Sequence, residues 1–208
     1  MGGTVSWEEF LWCVDKLLEI SKQFSDGWTV CGTKEVPGNA YLVKKLIASE
    51  DPEIECELSD NMEEPLDTLL EDDSVLVRTE VKVVTWEYHV LYSQSYSVPT
   101  LHFNAWRSDG QLLNLEEIWA RVHKSYQGSL KEDRWSVLTQ QEHPLLRRPF
   151  YMLHPCRTAE FLEGLKQKTS NILITWLSTF GPTVGLVLDP RYGQNLSSRD
   201  VRGHSLII

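Results

Sequence analysis

Trp7, Phe10, Leu11, Val14, Leu17 and Leu18 recur at three- and four-residue spacing. That period predicts an amphipathic helix of about four turns, buried along one face. Ser6 with Glu9 three positions on forms a capping box at its start, and Ser25-Asp26-Gly27 closes it. The period then shortens. Residues 28–31 and 40–49 read as strands on either side of the turn sequence Val36-Pro37-Gly38-Asn39. Residues 75–92 carry the longest strand pattern, branched and aromatic on both faces in its later half, so a central strand with a bend is expected. A turn over 93–97 returns the chain through a strand at 99–107, closed by Ser108-Asp109-Gly110. Loops this short imply antiparallel neighbours. Asn114 with Glu117 opens a helix bearing Leu115, Ile118, Trp119 and Val122. Beyond it lie a loop over 126–131, a short strand at 135–141, a turn at His143-Pro144 and an apolar approach at 150–153. Two helices follow, at 158–168 and 171–180, the second stopped by Gly181-Pro182. Strands and helices in this order predict an α+β fold, an antiparallel sheet flanked by helices.

Composition changes this picture in three places. A chain of 208 residues with 41% hydrophobic content and eight tryptophans can bury its own core, so one domain over 1–208 is expected. Residues 51–73 hold eleven acidic side chains and no Lys or Arg, which predicts a solvated loop with at most a short strand at 54–58, or a docking surface for a basic partner. The polar tail, about 195–208, is expected to fray. The net charge is −10, from 20 basic and 30 acidic residues. It disfavours nucleic acid and anionic membranes and favours a protein with a basic patch.

The four cysteines, at 13, 31, 56 and 156, lack metal-finger spacing and any Cys-x-x-Cys. Free thiols in a reducing, cytoplasmic setting are expected, with no metal and no stable membrane insertion. Met-Gly-Gly-Thr-Val-Ser fits the loose myristoylation pattern at Gly2, but no basic cluster follows to supply a second membrane signal, and a frayed end before the Ser6 cap is the reading preferred.

One stretch carries chemistry: Tyr151-Met152-Leu153-His154-Pro155-Cys156-Arg157-Thr158. It sets Cys156 directly before the helix expected from Thr158. Free amides and the positive end of a helix dipole favour thiolate over thiol, and Arg157 adds charge of the same sign. The alternative is a buried cysteine packed as a small apolar side chain. His154 could donate to an oxyanion or order the turn; packing inward is its simpler role. Tyr88, Tyr92 and Tyr96 could each orient an incoming lysine through the hydroxyl, or pack their rings in the sheet, and Asn104 and Thr158 are further polar candidates.

His154-Pro155-Cys156-Arg157-Thr158-Ala159-Glu160 resembles the active-site segment of the autophagy E2-like conjugating enzymes. The resemblance extends through Glu87-Tyr88-His89-Val90-Leu91-Tyr92-Ser93 and Tyr96-Ser97-Val98-Pro99-Thr100-Leu101. It continues through Gln140-Gln141-Glu142-His143-Pro144, Trp176-Leu177-Ser178 and Gly181-Pro182-Thr183-Val184-Gly185-Leu186. It implies an E2-like (UBC-like) core and a thioester on Cys156, with no cofactor. It also implies loading by an E1-like activating enzyme, autophagy-related protein seven. The modifier would be protein twelve, and the acceptor a lysine of protein five, bound without a separate ligase. Ubiquitin E2 enzymes carry an asparagine after His-Pro, and here Cys156 takes that place, so asparagine-based oxyanion stabilisation does not carry across. Two other classes remain open: a cysteine hydrolase with His89, His123 or His143 as base, and a non-catalytic E2-like binding module. The edge near 28–49 and the hairpin over 88–100 are expected contact surfaces for partners.

Overall fold

The computed structural model describes residues 3–49, 82–121, 138–165 and 169–197. The acidic stretch 51–73, the start of the long strand at 75–81, Gly2, Cys56, His123, the 126–131 loop and the tail beyond 197 lie outside them. Helix α1, Trp7–Phe24, follows the predicted period. The Ser6 hydroxyl accepts from the Glu9 amide at 3.1 Å, and Ser25 ends the helix in the left-handed region at φ 53.

Among the described residues six strands form one antiparallel sheet: β1 Thr29–Gly32, β2 Ala40–Ser49, β3 Val83–Ser93, β4 Val98–Arg107, β5 Leu138–Glu142 and β6 Pro149–Leu153. Their order is β1-β2-β3-β4-β6-β5, so β3 is central as its two-sided apolar pattern requires. The other described helices are α2 Leu115–Arg121, α3 Cys156–Leu165, α4 Ile172–Phe180 and α5 Arg191–Ser197, with a 3-10 turn at Gly181–Val184. The α+β expectation holds.

Register decides what each face carries. Val90 lies opposite Leu42 and Leu101, and Tyr88 opposite Phe103, which in turn pairs with Tyr151. These residues build the face that receives the helices, together with Trp86, which stacks on Tyr88 at 5.8 Å. Phe10, Val14 and Leu17 of α1 and Leu173, Trp176 and Leu177 of α4 close over it, all buried. Each such side chain contributes roughly 1.5–3 kcal/mol by leaving water. Asn171 caps α4 by accepting from the Leu173 and Ile174 amides at 3.0 Å each, and its Nδ2 donates to the Cys13 carbonyl at 3.0 Å, tying α4 to α1.

The other face carries the odd-numbered residues of β3. His89 lies opposite His102, Glu87 opposite Asn104 and Leu91 opposite Thr100. The turn between β5 and β6 folds over this face and brings His143 to it.

Candidate active site

The β6 strand delivers the chemistry-bearing stretch. It ends at Leu153, and the chain passes through His154 and a buried Pro155 into α3, whose first residue is Cys156. The Pro155 carbonyl accepts from the Thr158 amide at 3.0 Å and the Ala159 amide at 3.3 Å. The helix therefore begins two residues earlier than the sequence pattern places it, and Cys156 stands within its first turn rather than ahead of it. At a helix start, the amides that the capping carbonyl does not take up turn their positive ends outward, toward whatever lies there. Three contacts hold α3 in place. Trp176 Nε1 donates to the buried Thr158 hydroxyl at 3.2 Å. Phe161 meets Phe180 edge-on at 5.0 Å, and Leu162 is fully buried.

A cleft of about 530 Å³ opens at this turn. Its walls come from the β3–β4 hairpin (Ser93, Gln94, Tyr96), from the β5–β6 turn (Pro144, Leu145, Arg147) and from His154 and Pro155; Thr100, His102 and Met152 supply sheet residues. Its lining is more polar than apolar, which suits hydrogen bonding better than a compact apolar ligand.

The predicted tyrosines separate here. Tyr96, half exposed at the rim, sets its ring against His154 at 6.3 Å. Tyr92 borders the cleft, but its hydroxyl donates to the Val5 carbonyl at 2.8 Å and its ring packs on Trp7 and Phe10. Tyr88 is not brought to the cleft. It faces the helices, fully buried, and its hydroxyl donates to the Val184 carbonyl at 2.9 Å. Burial pushes its pKa far above the ordinary tyrosine value. Asn104 is also engaged elsewhere, donating to the Pro149 carbonyl at 3.0 Å.

Behind the cleft lies a buried chain of polar side chains that sequence spacing did not assemble. His143 Nδ1 faces the Leu145 and Leu146 amides at 3.2 and 3.1 Å, so it carries a lone pair and the ring proton sits on Nε2. That proton points at His89 Nδ1, 3.0 Å away. His89 then holds its own proton on Nε2, 2.8 Å from Glu87 Oε1. Arg148 reaches the same oxygen at 3.1 Å, and Lys45 reaches Oε2 at 3.4 Å. Burial, reinforced by His89 and Arg148, lowers the His143 pKa to about 4. Burial and the two neighbouring histidines lower that of His102 to about 3. His102 Nδ1 is buried without a hydrogen-bond partner among the described residues. The signal available in the sequence was the alternation of β3 and β4, which puts His89 and His102 on one face once the register is known.

Two of the three histidines proposed as a hydrolase base are in this chain, with both ring nitrogens of each engaged, and neither is left to activate a thiol. Among the described residues no cluster of His, Cys, Asp or Glu is suited to hold a metal.

The family described as autophagocytosis-associated protein, active-site domain, matches residues 9–191. The chain belongs to that family. It is 38% identical over 190 residues, 88% of its length and 83% of the relative's, to the human protein named ubiquitin-like-conjugating enzyme ATG10. Proteins of the same name from Arabidopsis thaliana and Dictyostelium discoideum are 37% and 33% identical, over 55% and 50% of this chain and 56% and 52% of theirs. The expectation of an autophagy E2-like conjugating enzyme is met. The matched span takes in α1 from Glu9 onward, every described strand and the His154-Pro155-Cys156 turn.

Proposed function

We propose that Cys156 accepts a ubiquitin-like modifier as a thioester and hands it to a lysine of an acceptor protein in autophagosome formation. The observation that supports this reading is that α3 opens with Cys156 directly after His154 and Pro155, both of which line the cleft. In loading, the Cys156 thiolate attacks the carbonyl of the thioester held by the activating enzyme, and that enzyme's thiolate leaves. In transfer, the lysine amine attacks the new thioester and loses a proton, and the Cys156 thiolate departs, leaving an isopeptide bond. Backbone amides at the start of α3 are suited to stabilise the oxyanion in both steps.

Resemblance points to autophagy-related protein seven as activator, protein twelve as modifier and protein five as acceptor. Tyr96 and His154 are the side chains best placed to guide the lysine. A cytoplasmic setting agrees with free thiols at Cys13 and Cys31, and no described helix is long and apolar enough to cross a membrane. The exposed edge strand β1 and the β3–β4 hairpin are the surfaces assigned to partners.

The test is a loading reaction with activating enzyme, ATP and modifier, resolved on a gel without reductant. The wild-type chain forms a thiol-sensitive adduct. Cys156→Ser converts it to a reductant-resistant ester, and Cys156→Ala abolishes it. A thiol-sensitive adduct that persists in Cys156→Ala assigns the carrier elsewhere and overturns the reading.

A further inference from the structure

The segment ahead of α1 is built into the site. Gly3 is buried against α3 so closely that no side chain fits. A Cβ added there would overlap the Ala159 carbonyl oxygen and the Glu163 amide nitrogen and would lie 2.7 Å from the Leu162 carbonyl carbon. All three are backbone atoms of the helix that begins at Cys156, so none can swing aside as a side-chain tip could. Two residues on, the same segment is fastened to the β3–β4 hairpin. The Val5 amide donates to the Ser97 carbonyl at 2.7 Å, and the Val5 carbonyl accepts from the Tyr92 hydroxyl at 2.8 Å. Val5 itself is buried, whereas Thr4 between them is exposed. Ser97 holds a left-handed backbone, φ 52, at the turn that offers this carbonyl.

Residues 3–5 therefore bridge the β3–β4 hairpin, which lines one side of the cleft, and the helix that carries the nucleophile. We propose that this strap is a positioning device, and that Gly3 is the residue that sets the distance from Cys156 to a tail lying in the cleft. It rests on the carrier reading of Cys156. The physical requirement is backbone-to-backbone approach, which only glycine permits. A methyl group at position 3 drives α3 away from the strap, and the sulfur moves with its helix. Misplacement on the order of an ångström leaves the thiol intact yet spoils its alignment with an incoming carbonyl.

The test separates positioning from stability by reading loading rather than transfer to lysine. Charged activating enzyme is titrated against the wild-type chain, Gly3→Ala, Tyr92→Phe and the exposed-site control Thr4→Ala. In parallel, iodoacetamide alkylation of the Cys156 peptide is followed by mass spectrometry. Gly3→Ala is expected to lower the loading kcat about tenfold with KM within about twofold and with unchanged alkylation of Cys156. Tyr92→Phe, which keeps the ring on Trp7 and Phe10 but releases the Val5 carbonyl, is expected to lower kcat about threefold. Thr4→Ala matches wild type. Should Gly3→Ala fail to fold, Tyr92→Phe alone decides. Loading by Gly3→Ala at the wild-type kcat overturns the strap's role. So does a loss no larger than its loss of folded protein, measured by the protection of Cys13 from alkylation. A wild-type chain that forms no adduct on Cys156 overturns the carrier reading instead, whatever Gly3 does.

Discussion

Tyr96 shows how much a single ring can separate function from folding. Its side chain is half exposed at the rim of the cleft and touches His154 there. Truncation at such a position moves stability by no more than about 0.5 kcal/mol. If the hydroxyl guides the acceptor lysine, Tyr96→Phe slows single-turnover discharge of the loaded enzyme onto lysine by about tenfold while loading is unchanged. Equal discharge rates would leave Tyr96 a surface ring only. His143 behaves in the opposite way. Its two ring nitrogens hold the Leu145 and Leu146 amides and His89, and its own backbone pairs with Arg147 and Arg148. His143→Gln leaves buried donors without acceptors and is expected to cost about 2 kcal/mol at neutral pH, read as a shift in urea midpoint. The same ring brings acid sensitivity. The folded state holds the His143 pKa at about 4 against an ordinary 6.5, so across that window the unfolded chain binds the extra proton. Stability contributed by the neutral ring is complete above 6.5 and is lost as pH falls toward 4. His102 adds to the fall, and Glu87, Lys45 and Arg148 are the charges that face the cluster. His143→Gln should flatten the pH dependence of the urea midpoint in that range.

Among the elements, α1, β2, β4 and the start of α4 were legible because each carries a strong local signal: a capping pair, a turn sequence or an unbroken period. The predicted strand at 99–107 is observed as Val98–Arg107, and the helix at 171–180 as Ile172–Phe180 behind its Asn171 cap. The start of α3 was displaced by two residues, because Pro155 fits the position just before a helix as well as it fits a break. The polar stretch after Pro190 gave no apolar period, yet Arg191–Ser197 is helical. Its Tyr192 finds partners on α1, which no local pattern announces. Asn171 offers the test at this scale. Its side chain serves two amides of α4 and one carbonyl of α1, so Asn171→Ala combines a lost cap with a lost tie between helices. A cost of about 2–3 kcal/mol is expected by urea unfolding. A loss under about 0.5 kcal/mol would show that the cap is replaced by water.

In the whole molecule, distant segments meet at Asp26. Its carboxylate takes Lys44 at 3.2 Å and the Tyr192 hydroxyl at 2.7 Å, and it also accepts from Ser21. Lys44 is buried and lies over the Trp28 ring at 5.4 Å. One carboxylate thus joins the end of α1, the second strand and the last described helix. Burial raises the Asp26 pKa, but the bonds from Ser21, Tyr192 and Lys44 outweigh it and hold it below the ordinary carboxylate value. The contribution is present above the unfolded value of 3.8 and is lost as pH falls through the lower folded one, below the histidine window. Asp26→Ala strands the Lys44 ammonium and is expected to cost about 3 kcal/mol, with Lys44→Met in the same background restoring part of it. Additive losses in that double mutant would remove the pair from the account.

Sequence alone determined what is written in neighbouring residues: the helical and strand periods, the caps, the α+β class and the cysteine after His-Pro in its family setting. Those features depend on interactions across a few positions, and physical chemistry reads them locally. Tertiary structure alone decided which rings share a face, that Tyr88 belongs to the core and Tyr96 to the rim, that three histidines far apart in the chain meet, and that Gly3 presses on the helix of Cys156. Each of these depends on strand register or on backbone packing between remote segments, and no short stretch of sequence encodes either.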